Sequence, residues 1–165
     1  MLTFTELEGL AAEVGARLLA CGWRLATAES CTGGLIGGVA TAIPGSSAWF
    51  ECGFITYSNA SKQTLLAVPE ALLIAHGAVS EPVVRAMAEG ALQHSSADIA
   101  VAVSGIAGPE GGSAAKPVGT VCLAWAMRTG ITQAVTQHFS GDRQAVRLAT
   151  IEAALRGVFA RAPRP

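Results

Sequence analysis

The sequence predicts an α/β fold, a three-layer α/β/α sandwich whose central sheet is mixed but mostly parallel. Three observations carry this. Short apolar runs of strand length alternate with segments of helical periodicity. Residues 99–103, IAVAV, are continuously apolar, the mark of a strand covered on both faces. The 165 residues are 51% hydrophobic and only 14% charged, which suits one well-filled core, and no linker or internal repeat divides them. A single domain over residues 1–165 is expected.

The elements follow in order. Leu7, Leu10, Ala11, Val14 and Leu18 recur at helical spacing, and Cys21-Gly22 closes that first helix. Residues 25–28 read as a buried strand entering the turn AESCTGG, after which a helix runs over about 34–42. A second strand is expected at 53–57. Ser58 and Asn59 can cap a helix to about residue 66, and a short helix follows at 69–75. Ser80-Glu81-Pro82 opens a helix that buries Val84, Met87, Ala88 and Ala91. After the strand at 99–103 comes a Gly/Pro-rich loop, 104–119, and then a hairpin of strands at about 118–127 and 131–139. That hairpin supplies the antiparallel edge of the sheet. A last helix from about Asp142 buries Leu148, Ile151, Leu155, Val158 and Phe159, and residues 162–165 form a frayed tail.

Composition narrows the function. The net charge is −1 with no basic run, so a nucleic-acid footprint is not expected. No apolar stretch approaches the roughly 20 residues of a membrane span, and the N-terminal residues do not pattern as a signal peptide. A cytoplasmic location is the expectation. Four scattered cysteines form no CxxC pair and His76, His94 and His138 no HxH or HExxH pattern, so neither zinc chemistry nor a disulfide framework is expected. Cys21, Cys52 and Cys122 read as buried, inert thiols. Nine arginines accompany only two lysines, Lys62 and Lys116. Either chance explains that ratio, or a retained lysine does something arginine cannot, such as losing a proton.

Three Gly-containing loops stand where strands end: AESCTGG at 28–34, SGIAGPEGG at 104–112 and FSGDR at 139–143. In open α/β sheets ligands bind at the carboxyl ends of the strands. The strand-to-helix turn after Ala28 should present the amides of Thr32, Gly33 and Gly34 to an anion or oxyanion, unless it is simply a tight packing turn. Ser30 opens that turn and could be a nucleophile if a base is near. No histidine lies close to any motif, which leaves Lys62 as the candidate base. It sits just inside a helix whose dipole, with burial, lowers an amine pKa. Tyr57 ends the preceding strand and could relay a proton or orient groups. The plain alternatives are a capping serine, a surface lysine and a half-buried tyrosine. Arg143 and Arg147 lie one turn apart at the start of the last helix, where an anion such as phosphate, or else a local acid, would relieve their conflict with the dipole. Cys31 is a rival nucleophile beside Ser30, because a helix N-terminus lowers a thiol pKa.

Taken together, AESCTGG, WFECGFITYSNASKQTLL, GAVSEPVVRAMAEGA, AVSGIAGPEGGSAAKPVGTV and FSGDRQAVR closely resemble the CinA C-terminal domain family, from about residue 28 to 147. With no room for the family's N-terminal molybdopterin-binding-like domain, the chain resembles its stand-alone amidase form. That resemblance implies deamidation of nicotinamide mononucleotide to nicotinic acid mononucleotide and ammonia, without metal or cofactor, and suggests a homodimer or higher homo-oligomer. It implies Ser30 as nucleophile, Lys62 as base and Tyr57 as their neighbour. Glu29, Thr32, Gly33 and Gly34 would support the oxyanion and ligand, and Ser104, Gly105, Ala107, Lys116 and Arg143 would line the nucleotide site. A catalytically weak nucleotide-sensing module and a thiol amidase using Cys31 are the competing functions.

Overall fold

A computed structural model describes residues 2–165. Its elements are α1 (Phe4–Cys21), β1 (Leu25–Glu29), α2 (Leu35–Thr41), β2 (Phe50–Ile55), α3 (Asn59–Leu66), α4 (Glu70–His76), α5 (Glu81–Gln93), β3 (Ile99–Gly105), β4 (Thr120–Met127), β5 (Gln133–His138) and α6 (Arg143–Arg161). The five strands form one sheet in the order β2-β1-β3-β4-β5. β1 pairs in parallel with β2 and with β3, while β3–β4 and β4–β5 are antiparallel. The sheet is therefore evenly mixed by pairing, although only β4 runs against the rest.

The sequence builds the two faces differently. Along β1, β3 and β4, large residues (Leu25, Ile99, Val101, Val103, Val121, Leu123, Trp125) alternate with small ones (Ala26, Ala28, Ala100, Ala102, Cys122, Ala124, Ala126). Side chains alternate across a strand, so each set covers one face. The large face packs against α1, α2 and α6, where each fully buried Leu, Ile or Val contributes about 1.5–3 kcal/mol. The small face receives Val83, Val84, Met87, Ala88 and Ala91 of α5, with Leu66 from the end of α3. Gly90 of α5 lies against the carbonyl of Leu66, where no Cβ would fit. That close approach anchors α3 to the layer behind the sheet.

Differences from expectation have physical reasons. β2 begins at Phe50 rather than Gly53. It is an edge strand, half-exposed along its length, and Glu51, ion-paired to Arg24 at 2.6 Å, interrupts the apolar residues at its start. β5 is shorter than expected because Ile131 stands 83% exposed before it. Ser80 does not accept a helix amide; its hydroxyl donates to the Gly77 carbonyl at 2.7 Å. Cys122 is buried as expected, but Cys21, Cys52 and Phe159 are only partly so. No helix among the described residues is long and apolar enough to cross a membrane.

Candidate active site

The carboxyl ends of β2, β1 and β3 lie side by side, and the sheet ladder continues past them. The Ser30 amide donates to the Val103 carbonyl at 3.1 Å, and the Thr56 amide to the Glu29 carbonyl at 2.8 Å. These bonds bring Ser30, Tyr57 and Ser104 to the border of one cavity of about 180 Å³. Gly105, Ala107 and Arg143 also border it.

Lys62 reaches the cavity from α3. Ser58 caps that helix by accepting from the Ser61 amide at 3.1 Å. A helical side chain leans toward the N-terminus, and Lys62 accordingly extends back toward the end of β2. Its Nζ lies 3.1 Å from Ser30 Oγ, 2.8 Å from the Thr56 carbonyl and 3.1 Å from the Tyr57 carbonyl. Carbonyls only accept. In the neutral amine both N–H bonds are therefore directed at Thr56 and Tyr57, and the nitrogen lone pair is left for the Ser30 hydroxyl. Lys62 is 1% exposed, and no carboxylate pairs with it among the described residues. Burial pushes its pKa below the ordinary lysine range. Cys31 moves the other way: burial pushes its thiol up to about 11, and α2 begins only at Leu35, four residues on. The expected activation of Cys31 by a helix N-terminus is not realised.

Glu29 corrects a second expectation. It is 1% exposed and does not border the cavity. Its carboxylate instead accepts from Thr32 Oγ1 at 2.6 Å and from the amides of Gly34, Ile36 and Gly37 at 3.0, 3.1 and 2.9 Å. The protein thus supplies its own anion to the start of α2. Gly33 and Gly34 adopt φ of 62° and 98°, which favours glycine, and this lets the chain wrap around that carboxylate. The Gly33 amide donates to the Ser30 carbonyl at 3.0 Å. Neither glycine amide is free for an oxyanion. In the stretch 30–37 only the amides of Cys31 and Thr32 lack an acceptor among the described residues, and of the two residues only Cys31 borders the cavity.

The family model for the CinA C-terminal domain matches residues 7–161. The chain belongs to the CinA C-terminal domain family. The nicotinamide-nucleotide amidohydrolase PncC of Enterobacter agglomerans is 58% identical to it over 143 residues, 87% of each chain. The protein of the same name from Escherichia coli K12 is 56% identical over 146 residues, 88% of each. A putative competence-damage inducible protein of Symbiobacterium thermophilum is 58% identical over 151 residues, but the match spans only 35% of its length. The crystal structure of the competence/damage inducible protein CihA from Agrobacterium tumefaciens superposes with a TM-score of 0.91 at 46% identity, covering 93% of this chain and 94% of that one.

Within this CinA C-terminal domain, other expected site residues take different places. The Tyr57 side chain is 64% exposed, and its hydroxyl accepts from Arg143 Nη2 at 3.4 Å; it is the Tyr57 carbonyl that touches Lys62. Arg143 also donates to the Gly108 carbonyl at 2.9 Å, bridging the cavity rim. Lys116 is not at the cavity: its ammonium donates to the His76 carbonyl at 2.8 Å, at the end of α4. Arg147 donates to the Cys31 and Thr32 carbonyls. Three cavity residues, Asn59, Ala78 and Val79, were not foreseen. Asn59 follows the Ser58 cap and could have been suspected from that position. Ala78 and Val79 have no chemistry to signal them.

Proposed function

We propose that this chain hydrolyses the carboxamide of nicotinamide mononucleotide to nicotinic acid mononucleotide and ammonia, through an acyl-enzyme on Ser30 with Lys62 as base. The observation that carries this is the buried Lys62 amine, 3.1 Å from Ser30 Oγ and held by two backbone carbonyls, with no carboxylate paired to it among the described residues. The substrate is supported by the names of relatives 56–58% identical over most of the chain. At about 180 Å³ the cavity is smaller than the roughly 300–1,000 Å³ of pockets for drug-sized ligands. It therefore suits the reacting ring of a nucleotide rather than the whole molecule. Its lining offers that ring the apolar side chains of Ala78, Val79 and Ala107 and the polar ones of Ser30, Lys62 and Ser104.

The chemistry proceeds in two halves. Neutral Lys62 takes the Ser30 proton as Oγ attacks the carboxamide carbon, and the Cys31 amide donates to the resulting oxyanion. The C–N bond breaks as the Lys62 ammonium returns the proton to the leaving nitrogen, releasing ammonia. Water then attacks the ester, passing its proton through Lys62 back to Ser30 Oγ, and the acid departs. Purified protein should release ammonia from the mononucleotide in the presence of a chelator; no release at micromolar enzyme would refute the assignment.

The exposed position of Arg143 at the rim supports a contact with the phosphate outside the cavity. Arg143→Ala is expected to weaken binding of the mononucleotide by about 1.5–3 kcal/mol, roughly ten- to a hundred-fold. The phosphate-free riboside should be little affected. Titration calorimetry on a Ser30→Ala background compares the two ligands without turnover, and equal losses would show that Arg143 does not read phosphate.

A further inference from the structure

We infer that Arg147 is a positioning residue for the reaction at Ser30: it clamps the nucleophile turn from behind so that the Cys31 amide faces the cavity. This rests on the proposal that Ser30 is the nucleophile. Arg147 comes from the second turn of α6, more than a hundred residues away in the chain. Its Nε donates to the Cys31 carbonyl at 3.0 Å and its Nη2 to the Thr32 carbonyl at 3.1 Å. The two donors of one planar group thus fix two successive peptide planes. In a trans peptide the N–H points opposite the C=O. Carbonyls drawn toward α6 therefore turn the amides of Thr32 and Gly33 toward the Ser30 side, where Gly33 donates to the Ser30 carbonyl. Fixing the Ser30 carbonyl in turn points the Cys31 amide the other way. Glu29 holds the same turn from within through Thr32, Gly34, Ile36 and Gly37.

This use of Arg147 differs from a phosphate contact. Both arginines at the start of α6 border a second, open cavity of about 550 Å³. Arg143 spans the rim of the Ser30 cavity, whereas Arg147 does not border that cavity. The open cavity gives solvent access to the guanidinium from the far side, so a small cation can reach its place when the side chain is removed.

The test uses Arg147→Ala and Arg147→Lys in the full chain with two readouts: ammonia release from nicotinamide mononucleotide, and the rate at which a fluorophosphonate labels Ser30. The second needs the nucleophile and its oxyanion donor but no nucleotide. Arg147→Ala is expected to lower kcat and the labelling rate by about a hundred-fold with KM nearly unchanged, the effect of a small misplacement of reacting groups. Ethylguanidinium in solution should restore part of both rates. Arg147→Lys, with a single point charge that cannot span both carbonyls, should fall between. Both rates within three-fold of wild type would overturn the assignment. So would a loss confined to KM for the mononucleotide and absent for the riboside, which would make Arg147 a phosphate ligand. A loss that ethylguanidinium does not restore, with a lowered melting temperature, would make it merely structural. If wild-type protein is labelled at Ser30 yet releases no ammonia, the substrate assignment fails, and the labelling rates alone decide the role of Arg147.

Discussion

Lys62→Arg should be nearly as inactive as Lys62→Ala, both at least about a thousand-fold below wild type in kcat/KM. Arginine keeps the charge and a similar reach, but guanidinium stays protonated at any working pH and cannot accept the Ser30 proton. Among the described residues no carboxylate pairs with a permanent cation at this place. Around Nζ stand two carbonyls and one hydroxyl, and the residue is 1% exposed. The direction of the pKa shift fixes the pH dependence. Burial lowers the amine pKa, so the neutral, base-competent form gains population as pH rises through a value below lysine's usual figure of about 10.4. The kcat/KM profile should climb with pH and level off below that figure, reporting the free enzyme. Activity of Lys62→Arg within a few-fold of wild type would mean that Lys62 supplies charge, and the base would have to be another group.

Ser30→Ala should abolish ammonia release, with a loss of about 10⁴- to 10⁶-fold, while the fold and mononucleotide affinity stay nearly intact. The substitution removes one hydroxyl from a residue whose backbone is fixed independently by the Val103 carbonyl and the Gly33 amide. Cys31→Ala should retain most activity. Its thiol is held up to about 11 by burial, so almost none is thiolate near neutral pH. Its proposed contribution is the backbone amide, which alanine keeps. Reversed outcomes for the two variants would replace the serine mechanism with a thiol one. Circular dichroism and calorimetric binding of the mononucleotide confirm that a silent variant is still folded and loaded.

Most of the fold was legible because its core strands are buried on both faces and show it. The IAVAV run states both the strand and the large-small alternation that separates the layers. The edge strand β2 was only half legible, since an edge carries polar and exposed residues that break the pattern. In the site, Ser30 and Lys62 were candidates because each stands at a recognisable junction, one after a strand and one inside a helix start, but it was the family resemblance that implied their pairing. What could not be read was how the turn around Ser30 satisfies its own donors. Gly37 comes eight residues after Glu29, and an acid just before a Gly-rich strand-to-helix turn could have been taken for that helix's anion. The partners of Arg143 and Arg147 are tertiary. Two arginines one turn apart look equivalent in sequence, yet one spans the cavity rim and the other clamps the turn beneath it.

The central claim is that Ser30 Oγ carries the acyl group during amide hydrolysis. Acid quench of wild-type protein mixed with excess nicotinamide mononucleotide, followed by fragmentation mass spectrometry of the peptide spanning Ser30 and Cys31, tests it most directly. The predicted result is a nicotinate-mononucleotide ester on Ser30 that appears before steady turnover and is absent in Lys62→Ala. An adduct on Cys31, or steady ammonia release with no adduct at any time point, would contradict it.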